Sequence, residues 1–438
     1  SIIAMACAVA VAGELGRRLF SPAVGIMTGL LLCLIPNTSR YAAEARPYAL
    51  ACLFSVLAFL LLYRALERPG VWRWLGYGLS VVFLGLSHII ALTTLGAHLA
   101  VLCFHQRFHQ RRVVAVWCAT VGAALLILVP LALLGRSQQQ EQVSWVAPLT
   151  PHILRSAPAD IVGSVQAGWL LVGLALGAAW RSVRRLVEVG LLALVPIVVV
   201  AVVSVLGSSL WVPRYLLIVL APAAMLAAVT AVSPLRAVTG SGASRGDAGP
   251  DALRGDAALD PPGGSGGRRG DSASGWLRGR RWEVGVRSVL VLAVFALAAY
   301  PGQRTVRGAD AKNGSNYRTA ASIIRAHQQP GDGLVITANS RALRAGIDYY
   351  LRNDPGRPRD LLEQRPAAEV ASLKAQEFPD SAAHVAGVAR VWLFVSGRNR
   401  PDPTTQRPDL RTLLQTQYER IGLWHMNGAT LGLYSLRG

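Results

Sequence analysis

Apolar stretches of about 17–23 residues recur through the first two thirds of this chain, the length at which an α-helix crosses a hydrocarbon core of about 30 Å. Runs of that length leave few folding options, because backbone polar groups in lipid must be satisfied within the element itself. Composition points the same way. Of the 438 residues, 52% are apolar and 16% charged, and the mean hydropathy is +0.38. A soluble chain of this size carries about a quarter charged residues. A soluble globule, a coiled coil and a disordered chain are therefore excluded. The sequence is that of a polytopic membrane protein.

Apolar runs set against breakers give about ten helical spans, at 1–16, 22–38, 47–64, 72–87, 89–104, 113–135, 160–180, 187–207, 211–233 and 284–300. The connecting loops alternate in charge. One set carries Arg17 and Arg18, then Arg64, Arg68 and Arg73, then Arg107, Arg111 and Arg112, then Arg181, Arg184 and Arg185, and then the arginine-bearing segment 234–282. The other set is less basic: Arg40, Glu44 and Arg46, the turn at His88, the loop holding Arg136, Glu141, Arg155 and Asp160, and Gly207–Pro213. Arginine-rich loops stay in the cytoplasm. The alternation thus predicts a plasma-membrane protein whose 301–438 region is extracytoplasmic. It divides the chain into a helical domain at 1–233, a cytoplasmic loop at 234–283, a last helix at 284–300 and an outer domain at 301–438.

The net charge of +20 would suggest nucleic acid in a soluble chain. Here it orients the membrane domain, and no nucleic-acid partner is expected; membrane lipids are. Lys312 and Lys374 are the only lysines, so the charge is almost all arginine. The five cysteines lie in apolar runs with no CxxC pair, which predicts no disulfide framework. No His/Asp cluster has ligand spacing, so no protein-bound metal and no bound cofactor are expected. Ser1 opens inside an apolar run with no basic region before it, which argues against a signal peptide and for a segment upstream.

Residues 237–282 are rich in Gly, Ser, Asp, Pro and Arg, and are expected to be disordered. RGD triplets begin at Arg245, Arg254 and Arg269, but a tract so biased generates them by chance. Beyond about 304 the pattern becomes that of a small α/β domain. Ala320, Ile323, Ile324 and His327 have helical spacing, Pro330–Gly333 turns into a strand at Leu334–Thr337, and Val391–Val395 makes a second. Ile421–His425 and Thr430–Tyr434 flank Asn427-Gly428, the signal of a type I′ hairpin. No nucleophile elbow, phosphate loop or carboxylate pair occurs there, so this domain is expected to cap a site built by the membrane part.

The spans hold almost no ionisable groups away from their ends; Glu14 and Glu188 lie near ends. Proton-driven carriers keep such groups mid-bilayer, so a carrier is disfavoured. Polar residues collect instead in Ser39-Arg40-Tyr41-Ala42-Ala43-Glu44-Ala45-Arg46-Pro47-Tyr48-Ala49-Leu50. If 38–45 is helical, Arg40 and Glu44 share a face, and Pro47 suits a helix start. An interfacial ion pair with an aromatic anchor is the plainer account of the same residues.

The run Arg40-Tyr41-x-x-Glu44-Ala45-Arg46-Pro47-Tyr48-Ala49-Leu50, followed by a long apolar helix, resembles the second outer loop of GT-C glycosyltransferases that use polyprenyl-phosphate sugars. Glycosyltransferase family 39 and its relatives, the protein O-mannosyltransferases and aminoarabinose transferases, are the members in view. Trp211-Val212-Pro213-Arg214-Tyr215-Leu216-Leu217 is similar to the start of a late helix in the bacterial members, and the Gln138–Trp145 loop to an outer loop in actinobacterial ones. The resemblance implies an α-helical GT-C fold that moves a sugar, mannose or a pentose, from a polyprenyl-phosphate donor to a protein, lipid or glycan acceptor outside the cell. It makes Glu44 the catalytic carboxylate and Arg46 and Arg214 clamps on the phosphate. Arg40, Tyr48, His88 and Tyr215 would line the sugar and headgroup, with Gln142 and Trp145 on the outer loop and Glu141 and Asp160 weaker acceptor contacts. The class also keeps an acidic motif on its first outer loop. Here the first span resembles the family's second helix, so that loop is expected upstream of Ser1, and a protein without it is expected to be inactive. A flippase for lipid-linked sugars and an inactive envelope scaffold are the alternatives.

Overall fold

A computed structural model describes residues 1–104, 111–137, 146–179, 184–207, 209–233, 270–308, 316–337, 340–370, 372, 374–397 and 399–438, with backbone alone at 104, 179, 270–281 and 341. The chain forms two compact units, Ser1–Arg307 and Gly308–Gly438.

The first unit is helical: α1 (Ile2–Leu19), α2 (Pro22–Leu34), α3 (Pro36–Ala43), α4 (Tyr48–Glu67), α5 (Val71–Ser87), a 3-10 turn at Ile89–Thr93, and α6 (Thr94–Phe104). Then follow α7 (Arg111–Ser137), α8 (Pro151–Val162), α9 (Val165–Ala179), α10 (Arg184–Leu206), a 3-10 segment Pro213–Val219, α11 (Leu220–Val232) and α12 (Gly270–Arg307). Local chemistry sets several ends. Ser21 accepts from Val24 N–H ahead of Pro22, and Thr150 accepts from Ile153 N–H ahead of Pro151, so each of these helices opens on a cap followed by proline.

All ten expected spans have a helical counterpart, but two are broken. Ile35, which precedes a proline, is extended (φ −66°, ψ 123°), and the chain bends by 67° between α2 and α3. Gly163 closes α8 in the left-handed region (φ 86°), and α8 and α9 meet at 95°. Among the described residues five helices are long and apolar enough to cross a membrane, or seven if each bent pair is one span. Residues 270–282, expected to be disordered, instead form the start of α12, which begins at Gly270. A helix anchored by a long apolar run propagates outward at little cost per residue.

Helices pack through small residues, as lipid-embedded helices do when backbones approach closely. Gly25 of α2 lies so near Gly13 of α1 that a Cβ there would meet its carbonyl oxygen. Ala12, Leu31, Ala49, Phe59, Leu62 and Ala224 are completely buried in the shared core. At the arginine-rich end, Arg185 reaches from α10 to the Leu19 carbonyl (2.6 Å) and Arg287 from α12 to the Ser233 carbonyl (2.7 Å). His98, in the middle of α6, is fully buried and meets the Tyr77 hydroxyl at 3.1 Å, which in turn accepts from Trp117 Nε1 at 3.1 Å. The expectation of almost no ionisable side chain inside a span overlooked it.

The second unit contains α13 (Tyr317–His327), β1 (Gly333–Ile336), α14 (Arg341–Leu351), β2 (Arg359–Asp360), β3 (Glu363–Arg365), β4 (Gln376–Glu377), α15 (Ser381–Val385), β5 (Arg390–Ser396), α16 (Pro408–Gln417), β6 (Tyr418–Met426) and β7 (Ala429–Leu436). The main sheet runs β2-β1-β5-β7-β6, parallel from β2 to β5 and antiparallel beyond. Alternation splits the core between two faces. Leu334, Ile336, Trp392 and Phe394 pack against α13 and α14, whereas Val335, Val391, Leu393 and Val395 pack with Leu410 and Leu414 of α16. With both faces covered, each central strand reads as an unbroken apolar run. The hairpin forms where expected, but its turn is not type I′. Only Gly428 has a positive φ (68°), while Asn427 stays in the ordinary region. His327, counted with the apolar face, is exposed and bonds the Ile323 carbonyl.

Candidate active site

At the end of the helical unit opposite its arginine-rich loops, three distant segments converge. The first is the α3–α4 junction. The α3 helix ends on Glu44, whose C-cap backbone is extended, and α4 begins at Tyr48 after Pro47. Glu44 is 7% exposed. Its Oε1 accepts from Arg40 Nε at 3.3 Å, one helical turn back, and its Oε2 faces Arg46 Nε at 3.5 Å. Both oxygens thus face guanidinium groups, and these arginines are about half exposed. The helical pairing expected between positions 40 and 44 is present.

The second segment is the turn after α5, where His88 caps the helix. The third is the 3-10 segment that begins at Pro213 and carries Arg214 and Tyr215. Tyr48 joins them: its ring centroid lies 5.6 Å from His88 and 6.4 Å from Tyr215, and His88 lies 4.6 Å from Tyr215. Arg214 sits 5.6 Å from the Tyr215 ring centroid and within reach of the phenol oxygens of Tyr48 and Tyr215. Burial first, and the Arg214 charge second, push the His88 imidazole down to about 4, so it is neutral at physiological pH. Its Nδ1 is buried without a hydrogen-bond partner among the described residues.

Of the residues singled out in the sequence, Arg40, Glu44, Arg46, Tyr48, His88, Arg214 and Tyr215 come together. Gln142, Trp145 and Glu141 lie outside the described residues. Asp160 lies near the end of α8 with its carboxylate accepting from Ser156 at 2.7 Å, and it meets α3 through its backbone carbonyl, which accepts from Asn37. Three side chains at this end were not anticipated. Tyr41 is buried and packs edge-on to Tyr48 at 5.3 Å. Asn37 and Gln303 fasten α3 to its neighbours. Asn37 reaches carbonyls on α8 and Gln303 comes from α12, and neither pairing left a local trace in the sequence. Among the described residues no three His, Cys, Asp or Glu side chains gather as metal ligands would.

An apolar groove of about 630 Å³ runs between α8, α9, α10 and α11, lined by residues such as Leu154, Ile161, Leu171, Leu191 and Ile197. Trp211, three residues before Arg214, forms part of its wall.

No family profile matches this chain, and no curated protein matches it in sequence. Solved structures do. The crystal structure of ArnT from Cupriavidus metallidurans bound to undecaprenyl phosphate is similar with a TM-score of 0.57 at 13% identity, over 98% of this chain and 82% of that one. The apo form gives 0.52 at 13% identity, over 99% and 83%. This chain therefore has the GT-C fold: a multi-pass helical membrane protein with a small α/β unit at its C-terminal end. At 13% identity the likeness reaches neither family 39 within that class nor the sugar.

Proposed function

We propose that the chain is a membrane glycosyltransferase that moves a sugar from a polyprenyl-phosphate donor to an acceptor hydroxyl at the outer face of the plasma membrane. The observation that carries this reading is the meeting of a buried carboxylate, Glu44, with three arginines and three aromatic rings drawn from three separate segments at one end of a GT-C fold. Three guanidinium groups against one carboxylate leave a positive surplus, which suits a phosphate headgroup. The rings of Tyr48, His88 and Tyr215 offer faces to a sugar. The neighbouring apolar groove suits an isoprenoid chain, and ArnT, whose fold this chain shares, was crystallised with undecaprenyl phosphate.

The chemistry is an in-line displacement. The acceptor oxygen forms a bond to the anomeric carbon as the bond from that carbon to the phosphate oxygen breaks. The acceptor proton passes to a carboxylate, and the departing phosphate keeps the electron pair. Charge-assisted bonds from arginine stabilise that leaving charge, more strongly at a partly dry interface than in water. Glu44 is the carboxylate this site provides. Both its oxygens face arginine in the resting state, and release of one guanidinium would make Glu44 a stronger base. Arg46, the more exposed and the longer contact, is the one to swing from Glu44 to the phosphate as donor binds. Mannose is the first sugar to try and a pentose the second. No metal takes part in this scheme.

Protein reconstituted in liposomes with a labelled polyprenyl-phosphate sugar tests the proposal. Glu44→Gln is expected to lower the transfer rate by about 10²-fold or more, and Arg214→Ala by about 10²-fold. Undiminished transfer in both variants would remove these residues from the reaction.

A further inference from the structure

The α3 helix is eight residues long, too short to hold itself in place, yet it carries Arg40 and Tyr41 and ends on Glu44. Two breaks, one between α2 and α3 and one between α8 and α9, leave backbone carbonyls without helical partners. Leu34 is the last residue of α2, and the amide that would ordinarily reach its carbonyl, that of Thr38, bonds Ile35 instead (3.1 Å). Asp160 and Ile161 close α8 just before the left-handed Gly163, in the last turn where carbonyls are left over. Side-chain amides reach all three. Gln303, near the end of α12, donates from Nε2 to the Leu34 carbonyl at 2.9 Å and to Ser39 Oγ at 3.2 Å. Asn37, on α3 itself, donates from Nδ2 to the Asp160 carbonyl at 2.8 Å and to the Ile161 carbonyl at 2.9 Å.

The Gln303 amide is held in one orientation by its two acceptors, which leaves its own Oε1 buried with no donor among the described residues. An unsatisfied buried acceptor costs about 1–3 kcal/mol. A side chain kept only to fill space would avoid that cost by being leucine or methionine. Its location is equally specific. Gly302, the preceding residue, has no room for a Cβ between the Gly163 carbonyl and the Pro36 ring, and Ser164 Oγ donates to the Ala298 carbonyl at 2.8 Å. The last turns of α12 therefore touch both helix breaks at once.

We propose that Gln303 and Asn37 are positioning residues. By donating to the carbonyls left open at the two breaks, they fix α3 and with it the Arg40–Glu44 pair in the geometry that transfer needs. This rests on the reading of Glu44 as the working carboxylate, and the test separates the two claims.

Wild type, Gln303→Met and Asn37→Leu would be compared in lipid nanodiscs by hydrogen–deuterium exchange and by sugar transfer. Methionine keeps the length of glutamine and removes the donor. Exchange across residues 36–46 is expected to speed up by about tenfold or more in both variants, the equilibrium change that loss of about 1.4 kcal/mol brings, while 48–67 stays protected as in wild type. In transfer, kcat is expected to fall by about tenfold or more with donor KM nearly unchanged, because the phosphate contacts from Arg214 remain. Should a variant fail to fold, Ser39→Ala removes one of the two Gln303 acceptors without opening a large cavity, and a smaller change of the same kind is expected. Unchanged exchange over 36–46 in every folded variant would overturn the positioning role, as would faster exchange with an unchanged kcat. If wild type transfers no sugar at all, the proposed function falls, while the exchange data alone still decide whether these amides hold α3.

Discussion

Arg407 in the C-terminal unit has only 1% of its surface exposed, yet five hydrogen bonds leave no guanidinium nitrogen idle. It bonds the Ile336 carbonyl at the end of β1, Glu377 on β4, Ser381 on α15, and both oxygens of Asp409 on α16. Arg344 extends the network from Glu377 to Asp360. Removing one member of a buried ion network leaves the others desolvated and unpaired, at a cost of about 3–5 kcal/mol. Asp409 is 42% exposed and can recover water, so Arg407→Ala is expected near the lower end, about 3 kcal/mol. Faster tryptic cleavage within 308–438, or a lowered denaturant midpoint followed by tryptophan fluorescence, would report it. Nothing in Gln406-Arg407-Pro408-Asp409 announced this, since arginine is by default a surface residue. The membrane site divides the same way. Arg40 and Glu44 could be paired from their spacing, because one helical turn is a local relation. The approach of His88 to Tyr215 at 4.6 Å depends on how α5 and the 3-10 segment pack, which no local pattern encodes.

At the level of elements, apolar periodicity located the membrane-length helices but misread two as continuous and left residues 151–159, most of α8, in an outer loop. Pro36 and Gly163 lie inside apolar sequence, so a window average passes over them. What breaks those helices is a missing N–H at one and a left-handed backbone at the other. The strands β2, β3 and β4, of two or three residues each, were missed because they are too short to show alternation. The α12 contact at the breaks gives a prediction of its own. Gly302→Ala would push a methyl group into the Gly163 carbonyl and the Pro36 ring, and is expected to destabilise the helical unit by about 1–3 kcal/mol. Gly122→Ala on α7, with nothing within 4 Å, is the matched control and is expected to be neutral or slightly stabilising. Equal thermal midpoints for both variants in detergent would contradict the tight fit at 302.

For the molecule as a whole, the proposed activity requires the Glu44 end of the bundle to open away from the cytoplasm. Cysteines introduced at Ala43 and Leu210 are expected to react with an impermeant thiol reagent on intact cells, after subtracting the parent's labelling. Protection at both positions, with labelling appearing only after lysis, would invert the orientation. The loop charges carry that expectation, and the fold does not depend on it. The sheet order of the C-terminal unit has a separate consequence for biosynthesis. The strand β7 follows all the others in the chain but lies inside the sheet, between β5 and β6. Until residue 436 has emerged from the ribosome, β5 has an open edge and β6 has no neighbour. The unit therefore cannot consolidate strand by strand during translation, and it spends that interval exposed to chaperones, proteases and stray β-pairing.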